Sequence, residues 1–414
     1  MNLHLEKSSV ASNNDVAISG SKSETNRLLL LKALFPTIQL KNISDSDDSK
    51  FMMHALATDD GVIDIGHAGT AMRFLTAYFA ICDGRTVTLT GWPRMKERPI
   101  KVLVDALSDL GADIQYLENE GFPPIKIIGR KITKNLVTLK ANVSSQYISA
   151  LLLVAPKLEN GLELKLEGDI TSIPYIHMTL ALLNKIGITT TFEGNKIVVS
   201  PKLSIITRGV AELSEANYQF LIESDWSSAS YFYSIIALSQ PGFTLTLSSF
   251  KKNSFQGDNA VAAIYKDFGV DTAYEGNYIK LTKNNCQPLT VNRQLNNNPD
   301  LAQTIAVTCL GLGLGCILNG LHTLKIKETD RLQALKNELG KLGAKVSITD
   351  DSLKIEPCEE INKGIFINTY HDHRMAMAFA PLALRVPIII ENADVVSKSY
   401  PAFWKDLQKI GFQF

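Results

Sequence analysis

The sequence has 414 residues, which is enough for two or three domains of ordinary size. Hydrophobic residues make up 45% of it and charged residues 20%, which is the composition of a folded globular protein and not of a disordered chain. The 42 basic residues equal the 42 acidic ones, and this zero net charge argues against a general nucleic-acid binder.

The N-terminus and the cysteines bear on where the protein works. The opening MNLHLEKSSV has no basic segment followed by an apolar core, so no signal peptide is predicted. The most apolar stretch, 304–318, is shorter than the roughly 20 residues that span a bilayer. Five cysteines without a C-x-x-C pair indicate reduced thiols and no disulfide framework or zinc site. We therefore expect a cytoplasmic protein that does not insert into a membrane.

The first recurring element along the chain is a polar or basic opening followed at once by an apolar helix. These helices are apolar on nearly all sides and rich in Ala, Ser and Gly, which is typical of helices buried inside a domain. The openings begin at Ser19, Gly66, Asn142, Glu223, Asn297 and Tyr370.

The second recurring element is an amphipathic helix that ends at a glycine and leads into two short strands around a turn. Its copies include VLVDALSDLGADIQYL, AVAAIYKDFGVDTAYEGNYIKLT and LQALKNELGKLGAKVSITDDSLKIEP. The final copy, FWKDLQKIGFQF, predicts a strand at the C-terminus. The stop glycines lie about 70 to 80 residues apart, at Gly111, Gly187, Gly269, Gly343 and Gly411.

Together the two elements form a unit that repeats six times, with about 69 residues to each unit. The repeat predicts an α/β protein in which buried helices lie behind mixed sheets, with six similar units divided between two domains. Each buried helix would point its polar N-terminus toward one end of its domain.

Those N-termini are candidate anion sites, because a helix start carries unpaired N–H groups and about half a positive charge. Several aimed at one cleft would favour a polyanionic small molecule. The alternative is that the Ser, Asp and Asn residues of the openings are ordinary helix caps. Basic residues beside so many openings favour the anion site, since arginine matches phosphate and carboxylate and lysine supplies a point charge. They are Lys22, Arg27, Arg73, Arg94, Lys96, Arg98, Lys327, Arg331, Arg374 and Lys398.

Acidic residues share these motifs and are candidate general bases. A carboxylate among many cations ionises easily and can accept a proton from a substrate hydroxyl. Asp300, which follows Pro299, equally has the signature of a helix cap, while Glu328 and Asp330 are placed equally well to pair with nearby cations. The pattern leaves both interpretations open for each residue. The acidic residues are Asp225, Asp300, Glu328, Asp330 and Asp372.

Ten motifs then match a known family in their order along the chain. From residue 19 to residue 401, the sequence resembles the 5-enolpyruvylshikimate-3-phosphate synthases, the enolpyruvyl transferases of the shikimate pathway. PRMKERPI, KETDRL and DHRMAMA are highly specific in combination. The motifs are GSKSETNR, AGTAMR, LTGWPRMKERPI, SSQ, SDWSSASYF, KKNSFQGD, PD, KETDR, DHRMAMA and SKSYP.

The resemblance implies a two-domain fold of the enolpyruvyl transferase type, an inside-out α/β barrel of six βαβαββ-like repeats. Domain I would combine residues 1–19 with residues 224–414, and domain II would comprise residues 20–223, with three repeats in each. The active site would lie in the cleft between the domains, which closes as substrates bind.

The reaction implied by the resemblance moves the enolpyruvyl group of phosphoenolpyruvate onto the 5-hydroxyl of shikimate 3-phosphate and releases phosphate. It proceeds by addition to a tetrahedral intermediate and then elimination, with no cofactor and no metal. Such chemistry needs a base for the hydroxyl, an acid for the methylene carbon, and cations that hold the carboxylate and the phosphates. The two small molecules are the expected partners, nucleic acid and membrane are not, and monomers are usual for the family.

The resemblance also implies a role for individual residues. Asp300 would be the hydroxyl base, Glu328 a proton-transfer residue, and Lys22 a participant between the two reactants. The shikimate 3-phosphate contacts would be Lys22, Ser23, Arg27, Ser144, Ser145, Gln146, Ser172, Tyr175, Asp300 and Lys327. The phosphoenolpyruvate contacts would be Lys22, Gly69, Arg94, Gln146, Arg331, Arg374 and Lys398.

Three positions depart from the family pattern. His67 replaces the usual asparagine before Ala-Gly-Thr, Phe74 replaces a common proline, and Thr323 stands where an asparagine often contacts the shikimate phosphate. These departures bear on the geometry around Gly69, on one phosphate contact and on inhibitor sensitivity.

Two rival functions remain as hypotheses. The first is the sister enzyme that transfers enolpyruvyl to UDP-N-acetylglucosamine, in which a loop cysteine is usual; the corresponding loop here, WPRMKERP at 92–99, has none. The second is a non-catalytic anion-binding relative, which would have lost the acid or the base, yet Asp300, Glu328 and Lys22 are all present.

Overall fold

The computed structural model describes residues 1–141, 144–201, 218–286 and 290–414. Two compact units contain them: unit 1 comprises Met1–Ser21 and Glu223–Phe414, and unit 2 comprises Lys22–Ile222. The first two residues of the opening predicted at Asn142 lie outside the described residues.

Both units contain helices, some apolar and buried and others with one exposed face. The α-helices are α1 (Lys22–Leu34), α2 (Asp47–Ala57), α3 (Gly69–Ala80), α4 (Pro93–Lys96), α5 (Lys101–Leu110), α6 (Ser145–Val154), α7 (Ile173–Lys185), α8 (Trp226–Leu238), α9 (Val261–Ile264), α10 (Ala302–Gly311), α11 (Arg331–Lys341), α12 (His373–Phe379) and α13 (Phe403–Lys409).

The strands are short. They are β1 (Leu3–Leu5), β2 (Asn14–Val16), β3 (Gln39–Lys41), β4 (Gly61–Asp64), β5 (Thr86–Thr90), β6 (Asp113–Tyr116), β7 (Ile125–Ile128), β8 (Leu136–Lys140), β9 (Leu162–Glu167), β10 (Thr190–Glu193), β11 (Lys196–Val199), β12 (Gln219–Leu221), β13 (Thr244–Ser248), β14 (Val270–Glu275), β15 (Tyr278–Lys283), β16 (Val291–Gln294), β17 (Cys316–Asn319), β18 (Val346–Ile348), β19 (Ser352–Ile355), β20 (Ile365–Ile367) and β21 (Ile388–Ile390).

The sheets repeat one arrangement, as the sequence predicts. Unit 2 contains the sheets β12-β3, β4-β5-β7-β6 and β10-β11-β9-β8, and unit 1 contains β1-β21-β20, β14-β15-β13-β2 and β16-β17-β19-β18. Each of these sheets has one parallel pair, and in the four-stranded sheets the other two pairings are antiparallel. The order β16-α10-β17-α11-β18-β19 is the βαβαββ unit in full. The predicted mixed α/β class is therefore confirmed, while the barrel form stays a prediction.

Strand register follows the alternation of apolar and polar residues. In β13 the buried residues are Leu245 and Leu247, and they lie opposite Leu281 and Ile279 of β15, which are buried as well. Because side chains alternate between the two faces of a sheet, this register puts these four aliphatic side chains on the covered face.

The apolar helices are the buried ones. All residues of α10 and α12 are buried, as are nearly all residues of α8. Small residues allow close contact: a Cβ on Gly311 would lie 2.7 Å from a methyl of Leu238, so glycine lets α10 approach α8. Buried hydroxyls pair across the same contact, with the oxygens of Ser234 and Thr308 2.7 Å apart. Each such bond contributes roughly 1 kcal/mol and leaves no hydroxyl of that pair unsatisfied.

The amphipathic helices end as predicted. All five stop glycines adopt a positive φ, between 73° and 115°, which other residues reach only with strain. At each of these glycines the helix ends and the chain changes direction toward the strand or segment that follows.

Two predicted elements differ from the structure. The helix predicted at AVAAIYKDFG is only one turn of α-helix, Val261–Ile264, between two 3₁₀ segments. The C-terminal strand is wrong: residues 412–414 form no strand, and their contacts to the N-terminal segment are single bonds, Glu6 N–H to Gln413 O and Gln413 N–H to Ser8 Oγ. Strand β1 pairs with β21 instead.

Within the described ranges, none of the helices combines the length and apolar character needed to cross a bilayer.

Candidate active site

Asp300 lies at the centre of a charged cluster in unit 1. It belongs to a short 3₁₀ helix, Pro299–Leu301, that leads into α10. Its carboxylate accepts a hydrogen bond from Nη1 of Arg331 and another from Nη2 of Arg374, both at 2.9 Å, and Nζ of Lys327 lies 3.6 Å away. The carboxylate therefore binds cations and does not cap α10, so of the two interpretations left open by the sequence, the helix cap is wrong.

The protonation of Asp300 follows from these contacts. Burial disfavours its charged form, but the positive charges of Arg374, Lys327 and Arg331 outweigh burial and hold its pKa well below the ordinary value. Asp300 is consequently ionised at neutral pH, and any ligand that draws those cations away would raise its proton affinity.

Arg331 connects three carboxylates. It begins α11, where Asp330 caps the helix by accepting hydrogen bonds from the N–H groups of Leu332 and Gln333. Its Nε donates to Asp372 Oδ2 at 2.6 Å, and its Nη2 donates to Glu328 Oε2 at 2.8 Å. Although burial opposes the charge, these carboxylates raise the pKa of Arg331.

Glu328 and the two lysines complete the cluster. Oε1 of Glu328 lies 3.0 Å from Nζ of Lys398, so this carboxylate bridges Arg331 and Lys398. Lys327 and Lys398 are largely buried, and burial lowers the pKa of Lys327. Six of the residues implied by the resemblance thus lie together in unit 1. They are Asp300, Lys327, Glu328, Arg331, Arg374 and Lys398.

In unit 2, the predicted residue Arg27 joins three helices. From α1 its Nε donates to Thr179 of α7 at 2.8 Å and its Nη2 to Ser149 of α6 at 3.0 Å. Its Nη1 donates to the carbonyl of Ser23 at 2.8 Å. Burial lowers the pKa of Arg27 to about 10, so the guanidinium remains charged at neutral pH.

The rings around Arg27 include one of the departures from the family pattern. Phe74 is buried, and its ring centroid lies 5.3 Å from the guanidinium carbon of Arg27. The ring of Tyr175, another predicted residue, lies 5.9 Å from the same carbon. The two aromatic faces favour the cation and fix its orientation.

A second group in unit 2 surrounds the start of α3. Gln146 Nε2 donates to Thr70 Oγ1 at 3.2 Å, and Ser144 caps α6 by accepting the N–H of Gln146. A Cβ on Gly69 would lie 2.3 Å from Nη1 of the buried Arg98, so a larger residue here would displace this guanidinium or the start of α3.

The remaining predicted residues of unit 2 lie at helix starts as well. Lys22 is the first residue of α1, and Ser145, buried, is the first of α6. Ser172 precedes α7 with φ 54° and ψ 39°, a left-handed conformation that costs energy in a serine and is often found at functional sites. Arg94, on α4, is half exposed, and its Nη1 pairs with Glu97 Oε2 at 2.8 Å.

The two other departures also have defined surroundings. The His67 ring packs edge to face against Trp92, with centroids 4.7 Å apart, and against Phe51 at 5.8 Å. Thr323 is buried, and within the described part of the chain its hydroxyl has no hydrogen-bond partner.

For some residues, the contacts in the structure differ from the roles considered from the sequence. Asp372 was a candidate base, but its structural role is to cap α12 and bind Arg331. Arg73 donates to the carbonyls of Gly69 and Pro99, which links α3 to the segment after α4. Asp258 ends the motif KKNSFQGD, but it was not among the candidate site residues. Among the described residues, no group of three or more His, Cys, Asp or Glu side chains could hold a metal ion.

Comparison with known proteins gives the fold class and then the family. The chain is similar over its whole length to a solved EPSP synthase from Acinetobacter baumannii, with TM-score 0.77, 21% identity and 99% of that chain covered. It is also similar to the enolpyruvyl transferase NikO from Streptomyces tendae, with TM-score 0.71, 15% identity and coverage of 99% and 97%. The fold is that of the enolpyruvyl transferases.

Relatives found by sequence identify the family within the enolpyruvyl transferases. A 3-phosphoshikimate 1-carboxyvinyltransferase from Bacteroides fragilis strain YCH46 is 46% identical over 402 residues, which cover 96% of this chain and 95% of the relative. Residues 55–407 match the family described as EPSP synthase (3-phosphoshikimate 1-carboxyvinyltransferase), and the chain belongs to that family. Membership assigns to it the transfer of the enolpyruvyl group from phosphoenolpyruvate to shikimate 3-phosphate, a step of the shikimate pathway.

Proposed function

We propose that Asp300 and the cations around it carry out this transfer, in which the 5-hydroxyl of shikimate 3-phosphate adds to phosphoenolpyruvate and phosphate is then eliminated. The products are 5-enolpyruvylshikimate 3-phosphate and phosphate. The observation that carries the proposal is the carboxylate of Asp300, 17% exposed, which is bonded to both Arg331 and Arg374. Anion-binding groups and a base thus lie within one cluster.

Asp300 is the proposed base. Before substrates bind, its cationic partners hold its pKa low, so it is a poor proton acceptor. The carboxylate and phosphate of phosphoenolpyruvate compete for the same guanidinium groups. As those groups turn to the substrate, the field that stabilises the Asp300 anion weakens and its proton affinity rises. Substrate binding would therefore activate the base.

In the addition step, Asp300 takes the proton of the 5-hydroxyl of shikimate 3-phosphate. At the same time the oxygen of that hydroxyl bonds to C2 of phosphoenolpyruvate. A proton is delivered to the C3 methylene, which becomes a methyl group in the tetrahedral intermediate. In the elimination step, the methyl group loses a proton and the C2–O bond to phosphate breaks, so charges and atoms balance. Glu328, held between Arg331 and Lys398, and Lys22 are the proposed proton-transfer residues.

The cations have divided roles in this proposal. Arg331, Arg374 and Lys398 would hold phosphoenolpyruvate, together with Arg94, Gly69, Lys22 and Gln146 of unit 2. Lys327 would hold shikimate 3-phosphate, together with unit 2 residues. Aligning two reactants can remove about 7 to 11 kcal/mol from a barrier, so residues that only bind also contribute to the rate. The residues proposed to hold shikimate 3-phosphate in unit 2 are Lys22, Ser23, Arg27, Ser144, Ser145, Gln146, Ser172 and Tyr175.

In this proposal, residues of both units act on the same two substrates. We propose in addition that the enzyme works as a monomer in the cytoplasm, without nucleic acid, metal or organic cofactor. Light scattering during gel filtration measures the molar mass, and a mass near 45.5 kDa is expected.

The experiment is phosphate release from phosphoenolpyruvate, with and without shikimate 3-phosphate, in wild type, Asp300→Ala and Asp300→Asn. We expect release that depends on shikimate 3-phosphate and falls by roughly 10² or more in both variants, because a general base contributes on that scale. Asp350→Ala is the control, since Asp350 is an exposed carboxylate of the same unit that pairs with Lys325.

Binding of both ligands without turnover in wild type would show a binding protein and not an enzyme. Turnover in wild type together with unimpaired Asp300 variants would keep the reaction but remove Asp300 as its base.

A further inference from the structure

Ser227, in the first turn of α8, lies between a buried carboxylate and a site arginine. Its hydroxyl donates a hydrogen bond to Oδ2 of Asp258 and accepts one from Nη2 of Arg374 at 3.3 Å. A hydroxyl has one hydrogen, so giving it to Asp258 turns the oxygen lone pairs toward the guanidinium. The same Nη2 donates to Oδ2 of Asp300.

Asp258 is an unusual group to find in this place. The residue is 3% exposed, and its Oδ1 is enclosed without a hydrogen-bond partner among the described residues. Burial, and then the negative charge of Asp300, raise its pKa to about 6, while Arg374 and the bond from Ser227 oppose the rise; Asp225 adds a smaller negative charge. An enclosed carboxylate with one unsatisfied oxygen destabilises the fold, so its presence calls for an explanation in function.

The segment that carries Asp258 is held firmly against α8. Gln256 accepts a hydrogen bond from the Trp226 N–H at 3.0 Å and donates to the carbonyl of Ser224 at 2.8 Å. Asn298, two residues before Asp300, donates to the carbonyl of Gly257 at 2.6 Å. Asp258 is thus fixed both to the helix that bears Ser227 and to the segment that bears Asp300.

We propose that Asp258 is a positioning residue for the enolpyruvyl transfer: through the Ser227 hydroxyl it fixes the orientation of the Arg374 guanidinium that receives phosphoenolpyruvate. Without Asp258, the Ser227 hydrogen can rotate toward Arg374, which places two donors face to face and removes the acceptor from the guanidinium. The inference rests on the proposed function, because it takes Arg374 as a ligand of phosphoenolpyruvate.

The test compares Ser227→Ala, Asp258→Ala and Asp258→Asn with wild type, measuring kcat and the KM of each substrate. We expect KM for phosphoenolpyruvate to rise about three- to tenfold in the two alanine variants, the size typical of one lost hydrogen bond to a charged group. KM for shikimate 3-phosphate is expected to stay within about twofold, because Arg374 holds the other substrate. Asp258→Asn should recover most of the loss, since its amide oxygen can still accept the Ser227 hydrogen.

The matched control is Ser239→Ala, which removes a hydroxyl at the opposite end of the same helix, where it donates to the Ile235 carbonyl. An equal rise in both KM values, an Asn variant no better than Ala, or unchanged KM values would each overturn the positioning role. If Asp258→Ala fails to fold, Ser227→Ala decides the question. The proposed function is tested separately, by whether wild type turns over at all.

Discussion

Arg331 and Asp372 form a two-point ion pair, with Nε 2.6 Å from Oδ2 and Nη2 3.3 Å from Oδ1, and their side chains are 2% and 0% exposed. Oδ1 of the same carboxylate accepts the N–H of Arg374 at 2.9 Å. One buried carboxylate therefore orients an arginine side chain by direct contact and a second arginine through its backbone.

Removing that carboxylate should destabilise the protein. In Asp372→Ala the buried guanidinium of Arg331 loses a charged partner, and we expect the free energy of unfolding to fall by about 3–5 kcal/mol. Denaturant unfolding followed by fluorescence measures this. In Asp330→Ala, which loses only the cap of α11, the free energy of unfolding should fall by about 1 kcal/mol. Equal losses in the two variants would show that the ion pair contributes no more to stability than a helix cap.

Replacing Arg331 by lysine keeps the positive charge but removes the planar guanidinium with its three donor nitrogens. Arg331 donates to Asp300, Glu328 and Asp372 from three different nitrogens, and one ammonium cannot occupy those three positions. We expect kcat/KM for phosphoenolpyruvate to fall by about 10²-fold or more, the equivalent of roughly 3 kcal/mol. A variant within about threefold of wild type would mean that charge alone suffices.

The pH dependence of stability should reveal Asp258. Its pKa is raised from 3.8 to about 6 in the folded state, so the stability that it contributes is complete below pH 3.8 and is lost as the pH rises through about 6. Asp258→Asn lacks this titration. Relative to wild type, the variant should therefore gain up to about 3 kcal/mol in unfolding free energy between pH 4 and pH 8. A difference that does not change with pH would contradict the raised pKa.

Gly69→Ala tests the close approach at the start of α3. The new methyl group would lie 2.3 Å from Nη1 of Arg98, so either this buried guanidinium or the helix start must move. We expect KM for phosphoenolpyruvate to rise by about tenfold, with a smaller change in KM for shikimate 3-phosphate. Gly340→Ala is the control, because nothing lies within 4 Å of a Cβ there and alanine favours the helix by about 1 kcal/mol.

Local features of the fold were predictable because they follow from neighbouring residues. The buried helices follow from continuous apolar runs, as in α10, and the stop glycines from the need for a positive φ at a helix end. The aromatic residues of FQF predict a strand equally well, yet residues 412–414 form none, and the strand beside β21 is β1 from the N-terminus. Competition between distant segments is invisible in a local pattern.

The site shows the same limit. Asp300 is 31 residues from Arg331 and 74 from Arg374, so helix cap and base looked equally plausible from its neighbours alone. The polar openings predicted as anion sites or helix caps fall into two groups. Asp225, Ser144 and Asp372 cap their helices, whereas α3 and α10 begin without a side-chain cap. Asp258 functions through Ser227, 31 residues away, and only the folded chain brings them together.

The pairing of β1 with β21 has a consequence for synthesis on the ribosome. Leu3 of β1 lies opposite Ile390 of β21, so β1 is synthesised nearly 390 residues before the strand with which it pairs. At 5–20 residues per second, this interval is roughly 20 to 80 s. Unit 2 is continuous from Lys22 to Ile222 and can be complete while unit 1 still lacks most of its length. Until translation reaches β21, the nascent chain carries an apolar strand whose natural partner does not yet exist.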